Sequence, residues 1–131
     1  MNVPTIAADR LQQLRELCLS LPDTEEKIAW GDPTWRIVGG RMFAGQKGNV
    51  PGHRPALWFA APPGMQSLLV EAGSERFFVP PYVGSQGWVG TWMDLPRIDW
   101  AMIGDLLAEA RQWIAASKSG GARRAKKTAK K

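Results

Sequence analysis

The chain has 131 residues, the length of one domain, with 44% hydrophobic and 22% charged residues, which is globular rather than disordered or membrane-spanning. No apolar run approaches the roughly 18 residues of a membrane-crossing helix, and the N-terminus carries no secretory leader pattern. One cysteine and one histidine exclude an internal disulfide, a cysteine-rich zinc site and a histidine metal triad, so neither metal nor cofactor is expected, and the cytoplasm is the expected compartment.

The net charge of +5 is unevenly placed. Lys118, Arg123, Arg124, Lys126, Lys127, Lys130 and Lys131 fall in a stretch without acidic residues, and residues 1–117 retain ten basic against twelve acidic groups, a net charge of −2. The isoelectric point near 9.8 is therefore a property of the tail. That tail has no large apolar residue to bury. The sequence predicts a folded unit over 1–117 and a disordered basic extension over 118–131.

Leu11, Leu14, Cys18 and Leu21 recur on one helical stripe, predicting an amphipathic helix over 6–21, started by Thr5 or Asp9 and stopped by Pro22. Cys18 lies on that stripe and reads as a buried, inert thiol. From Glu26 to Phe43 the period changes to that of strands. Gly39-Gly40 between two alternating runs predicts a hairpin with a two-residue turn, in which Arg36 faces Phe43 and Val38 faces Arg41. Trp35, Ile37, Met42 and Ala44 then form a core face, and Arg36, Val38, Arg41 and Phe43 a mixed basic and apolar surface.

Residues 46–55 form a Gly/Pro-rich loop holding Lys47, His53 and Arg54. A strand is expected at 56–60, and a helix from Pro62-Pro63 to about Ala72. Strand character returns in "SERFFVPPYVGSQGWVGTWMD", where alternation puts Trp88, Gly90 and Trp92 on one face. Asp99 is placed to cap a last helix ending near Ser117, with Trp100, Ile103, Leu107, Ala110 and Ile114 on its stripe. The whole reads as α+β, an antiparallel sheet packed against helices. Seven tryptophans exceed what such a core requires, so one or two should stay partly exposed.

The strings "WGDPTWRIVGGRMFA", "RFFVPPYVGSQGWVG" and "IDWAMIGDLLAEAR" together resemble the MmcQ/YjbR family of small bacterial proteins over roughly residues 6–117. The resemblance implies a frataxin-like fold and a DNA-binding role in which hairpins act as a double wing. It brings no catalytic residues with it, and the basic tail departs from its pattern. Frataxin's acidic helix ridge has no counterpart here, because Asp9, Glu16, Asp23, Glu25 and Glu26 are too sparse and too mixed with Arg10 and Arg15 to hold a metal.

Two functional readings follow. In the first, Arg36, Arg41, Lys47 and Arg54 on turn-rich segments contact a nucleic-acid backbone, and the tail adds sequence-independent, salt-sensitive affinity. Such a protein would associate with the nucleoid. In the second, Tyr82, Trp88 and Trp92 with Gly84 and Gly87 line a small-ligand pocket, or the mixed face of the hairpin meets a protein partner. A continuous positive stripe through the four basic residues favours the first, and a neutral surface with an aromatic pocket the second. Catalysis is not expected, since His53 lacks a carboxylate to orient it and Cys18 is buried. The reading of the sequence is a non-enzymatic DNA-binding protein. It leaves the oligomeric state open.

Overall fold

The computed structural model describes residues 6–48 and 54–117. In chain order these form α1 (Ala8–Leu19), β1 (Thr24–Ala29), β2 (Asp32–Ile37), β3 (Met42–Lys47), β4 (Ala56–Phe59), α2 (Met65–Ala72), β5 (Phe77–Phe78), a 3-10 turn (Val83–Gln86), β6 (Val89–Trp92) and α3 (Trp100–Ala116). The strands make one antiparallel sheet in the order β1-β2-β3-β4-β6-β5. The α+β class is the one anticipated. Among the described residues no helix is long and apolar enough to cross a membrane.

The last helix forms where its local signals place it. Asp99 Oδ1 accepts a hydrogen bond from the Met102 amide at 3.1 Å, satisfying one of the donors that every helix start leaves open. Its stripe of Ile103, Leu107, Ala110 and Ile114 is buried, joined by Leu106. In α1 the buried residues are Leu14 and Cys18. This helix starts at Ala7 with no side-chain cap, and Asp9 binds the neighbouring Arg10 amide instead. Thr5, the other expected starter, lies outside the described residues.

Both helices cover one face of the sheet. Register sets Trp35, Ala44, Phe59 and Val89 in a row across β2, β3, β4 and β6, each at most 1% exposed. Full burial of a large apolar side chain stabilises by about 1.5–3 kcal/mol, so this row anchors the sheet to the helices. Trp35 also donates from Nε1 to Glu26 at 3.0 Å, and Glu26 accepts from Arg15 on α1 at 3.0 Å. One carboxylate thus ties the first helix to the first hairpin.

The two-residue turn sits elsewhere than the sequence suggests. Ala29 pairs with Asp32, leaving Trp30-Gly31 as the loop, with φ of 56° and 82°. Positive φ at both central positions is the requirement of a type I′ turn, whose twist matches that of its strands. Between β2 and β3 the Ile37 amide donates to Arg41 and the Gly40 amide to Ile37, so the connection is Val38-Gly39-Gly40, with Gly39 at φ 75°. Trp35 still faces Ala44, but Arg36 faces Met42. Phe43 is the extra residue of a β-bulge.

The bulge turns Phe43 into the core, where it has no exposed surface. The expected mixed face of Arg36, Val38, Arg41 and Phe43 is therefore not formed. Arg36 shares the far face of the sheet with its partner Glu25. Arg41 turns the other way and lines a cavity of about 200 Å³ with Trp88, Trp113 and Ile114 at the end of α3.

Candidate functional site

The face of the sheet turned away from α1 and α3 carries two rows of paired residues. One runs Thr34, Gly45, Trp58, Gly90, Phe78, and the next runs Lys47, Ala56, Trp92. Small residues alternate with large rings, so the rings lie over the sheet instead of standing off it. Gly90 shows the necessity. A Cβ there would run into the Phe78 ring, which crosses β6 to stack on Trp92 with centroids 4.2 Å apart and planes 24° off parallel. An offset aromatic pair of this kind is worth about 0.5–1.5 kcal/mol beyond its burial.

Two cations sit on these rings. Lys47 Nζ lies 5.1 Å from the centre of the Trp58 ring, and the Arg54 guanidinium carbon 4.0 Å from that of Trp92, both within the range of cation–π attraction. Phe78 reaches Trp92 from the β5 side of β6, and Arg54 from the β4 side. Together they bound a groove of about 320 Å³ that also meets Pro81.

Each cation has a carboxylate behind it. Arg54 donates from Nε and Nη2 to the two oxygens of Asp94, at 2.9 and 2.6 Å. These bonds hold the Asp94 carboxyl below the usual carboxylate range and raise the guanidinium further, because each favours the charged form of its partner. Lys47 stands 4.0 Å from the buried Asp32. The Asp94 loop is braced from α1, where Arg10 donates to the carbonyls of Met93 at 2.8 Å and Pro96 at 3.3 Å. An aromatic floor with planar and point cations suits a flat, negatively charged group, stacked by its π-face and held by its anion.

Among the described residues, no serine, threonine, cysteine or histidine lines the groove. Cys18 lies on the opposite side of the sheet with no exposed surface, and burial, aided by Glu26, pushes its thiol well above the ordinary range. It remains protonated and unreactive at neutral pH. His53 lies outside the described residues.

Set against known protein families, residues 19–113 match the model of YjbR. The match runs from the end of α1 to the last turns of α3 and takes in every strand. The chain belongs to the YjbR family. No curated protein matches it. Among solved structures it is similar to Deinococcus radiodurans protein DR2400, a DUF419 domain, with a TM-score of 0.68 and 18% identity over 81% of this chain and 78% of that one. At that identity the likeness is one of fold.

In this YjbR chain the basic residues anticipated from the sequence divide. Lys47 and Arg54 come together on the groove, whereas Arg36 lies on the same face toward the other end of β2, and Arg41 lies on the helix side. The four do not form one stripe. Lys118, Arg123, Arg124, Lys126, Lys127, Lys130 and Lys131 lie outside the described residues. Of the aromatic trio, Trp92 is in the groove, but Tyr82 is 90% exposed at φ 67° and Trp88 is buried in the core. Trp88 lies just before β6, which begins at Val89, and its amide donates to the Val83 carbonyl of the 3-10 turn, so it belongs to the turn and does not share the alternation of the strand.

Trp58, Phe78 and Asp94 join the site without a motif in the sequence to mark them. Trp58 had one usable signal, since it alternates with Ala56 in β4. Its partnership with β6 is non-local and has no mark in the sequence.

Proposed function

We propose that this protein is a non-enzymatic nucleic-acid-binding protein and that the groove on the outer sheet face is its contact surface. The observation that carries the reading is the placement of Lys47 and Arg54 over the indoles of Trp58 and Trp92. Lys47 supplies a phosphate contact, and the Trp58 ring and the guanidinium plane of Arg54, backed by Trp92, supply stacking, the two ingredients of nucleic-acid grooves that do not read sequence. The wing mode is replaced by a groove mode, because Arg36 and Arg41 diverge. The basic tail adds backbone affinity on top.

A labelled oligonucleotide titrated with wild type and with the double variant Lys47→Ala/Arg54→Ala, at low and at physiological salt, tests the proposal. The lost phosphate contact of Lys47 and the lost stacking plane of Arg54 should weaken binding and make the log–log salt slope about 0.7–0.9 less negative. Unchanged affinity and slope in the double variant would remove the groove from the interface.

A second reading is a small planar anion as the whole ligand. It is favoured by the absence of a continuous stripe through Arg36, Arg41, Lys47 and Arg54, by the carboxylate paired with each groove cation, and by the groove's size, near the low end of the roughly 300–1,000 Å³ typical of ligand pockets. Under it, a mononucleotide binds as tightly as an oligonucleotide and chain length confers no gain.

A further inference from the structure

Trp30 is an uneconomical residue where it stands. It occupies the left-handed region at φ 56°, where a bulky side chain is strained and Asn or Gly would sit at lower cost. Its ring is 95% exposed, so core packing does not compensate. A strained residue presenting a large, bare indole is the kind of outlier from which a functional role is inferred.

Its place in the sheet says which role. The Trp30-Gly31 turn is closed by Ala29 and Asp32. Asp32 is the residue 4.0 Å from Lys47, Lys47 pairs with Ala56, and Ala56 with Trp92. The hairpin tip and the cationic end of the groove therefore lie along one line across the sheet. At about 4.8 Å per strand, the span from β2 to β6 is roughly 15 Å, a distance that a single strand with unstacked bases covers in a few nucleotides. The groove itself is too small for more than one nucleotide.

We propose that the outer face binds single-stranded nucleic acid, one base entering the groove between Trp58 and the Trp92–Arg54 stack, its phosphate at Lys47, and a neighbouring base stacking on Trp30. This rests on the nucleic-acid reading above and narrows it. A duplex keeps its bases in the stack and offers the groove only phosphates, so it gains nothing from Trp30.

The test uses the full-length chain and the variant Trp30→Asn. The probes are a short oligothymidylate, its ribo counterpart oligouridylate, the same strand annealed to its complement, and the mononucleotide dTMP. Binding is followed by anisotropy and by tryptophan quenching. Circular dichroism establishes that Trp30→Asn folds, which a residue suited to the turn favours. The expected result is tighter binding of single strand than duplex at low salt, and a loss of about fivefold or more for the oligonucleotides in Trp30→Asn, with dTMP unaffected. Tighter binding of either single strand than of the duplex, with its loss in Trp30→Asn, supports the proposal. Equal affinity of wild type and Trp30→Asn for single strands, or duplex bound as well as single strand, overturns it. Binding that still depends on Lys47 and Arg54 in that case leaves the broader reading standing. Failure of every oligonucleotide to bind removes both.

Discussion

Phe43 and Val38 sit on either side of the same turn and have opposite fates. Phe43→Ala empties a fully buried ring site and should cost about 3–5 kcal/mol in urea unfolding. Val38 is 57% exposed, and Val38→Ala should change stability by no more than about 0.5 kcal/mol. Equal effects would return Phe43 to the surface. Alternation in the sequence assigned the two to one face, and only the bulge, a property of how β2 and β3 pair, separates them. Asp94 makes a different prediction. Its carboxylate occupies the edge of Arg54 that a phosphate would use, so Asp94→Asn should tighten oligonucleotide binding and make the salt slope about 0.7–0.9 more negative. The opposite sign would mean that Asp94 serves binding by holding Arg54 over Trp92. The stability effect has its own pH dependence. Because the folded carboxyl titrates below its ordinary value, the pair stabilises the fold above the carboxylate range and loses that contribution as pH falls through the lowered value. Acid titration of unfolding should therefore show wild type more stable than Asp94→Asn at neutral pH, with the difference vanishing in acid.

The elements were legible from the sequence to the degree that their signals are local. The last helix was anticipated from a cap, a stripe and a stop, all within its own residues, and it forms between Trp100 and Ala116. Turns depend on which of several candidate pairs closes the better register. Gly39-Gly40 is a strong pair by propensity, yet the bulge at Phe43 goes with a three-residue loop between β2 and β3, and the type I′ turn is Trp30-Gly31 of the preceding hairpin, where Ala29 faces Asp32. Gly31→Val places a β-branched residue at φ 82° and should destabilise by about 1–3 kcal/mol, measured by chemical denaturation. Trp30→Asn at the adjacent position should be neutral or stabilising. A neutral Gly31→Val would mean that the hairpin closes through another turn. The groove was the least legible feature. Trp92 was among the expected pocket residues, but its companions Trp58 and Phe78 reach it through β4–β6 and β5–β6 pairing, which no residue of either strand announces.

At the scale of the whole molecule, charge and structure occupy different parts of the chain. Residues 1–117 carry a net charge of −2 and the remainder seven basic groups. Full engagement of those seven with a duplex would contribute about −6 to the log–log salt slope. Deleting residues 118–131 should flatten the slope for every sequence alike, while the preference for single strands stays with the remaining protein. Loss of that preference on deletion would assign it to the tail. Burial in α3 extends to Ile114, so the truncated chain should keep its thermal midpoint within a few degrees, whereas a large fall would show that the deleted residues support the fold. The sheet also sets a rate for events at the groove. Its outermost strand on that side, β5, is two residues long and contributes Phe78, half of the stacked pair with Trp92. Edge elements with few ladder bonds open at a fraction of the global unfolding free energy. The amides of β5 should exchange with deuterium well before those of β3, and the groove wall can admit a ligand by local opening while the row from Trp35 to Val89 stays closed.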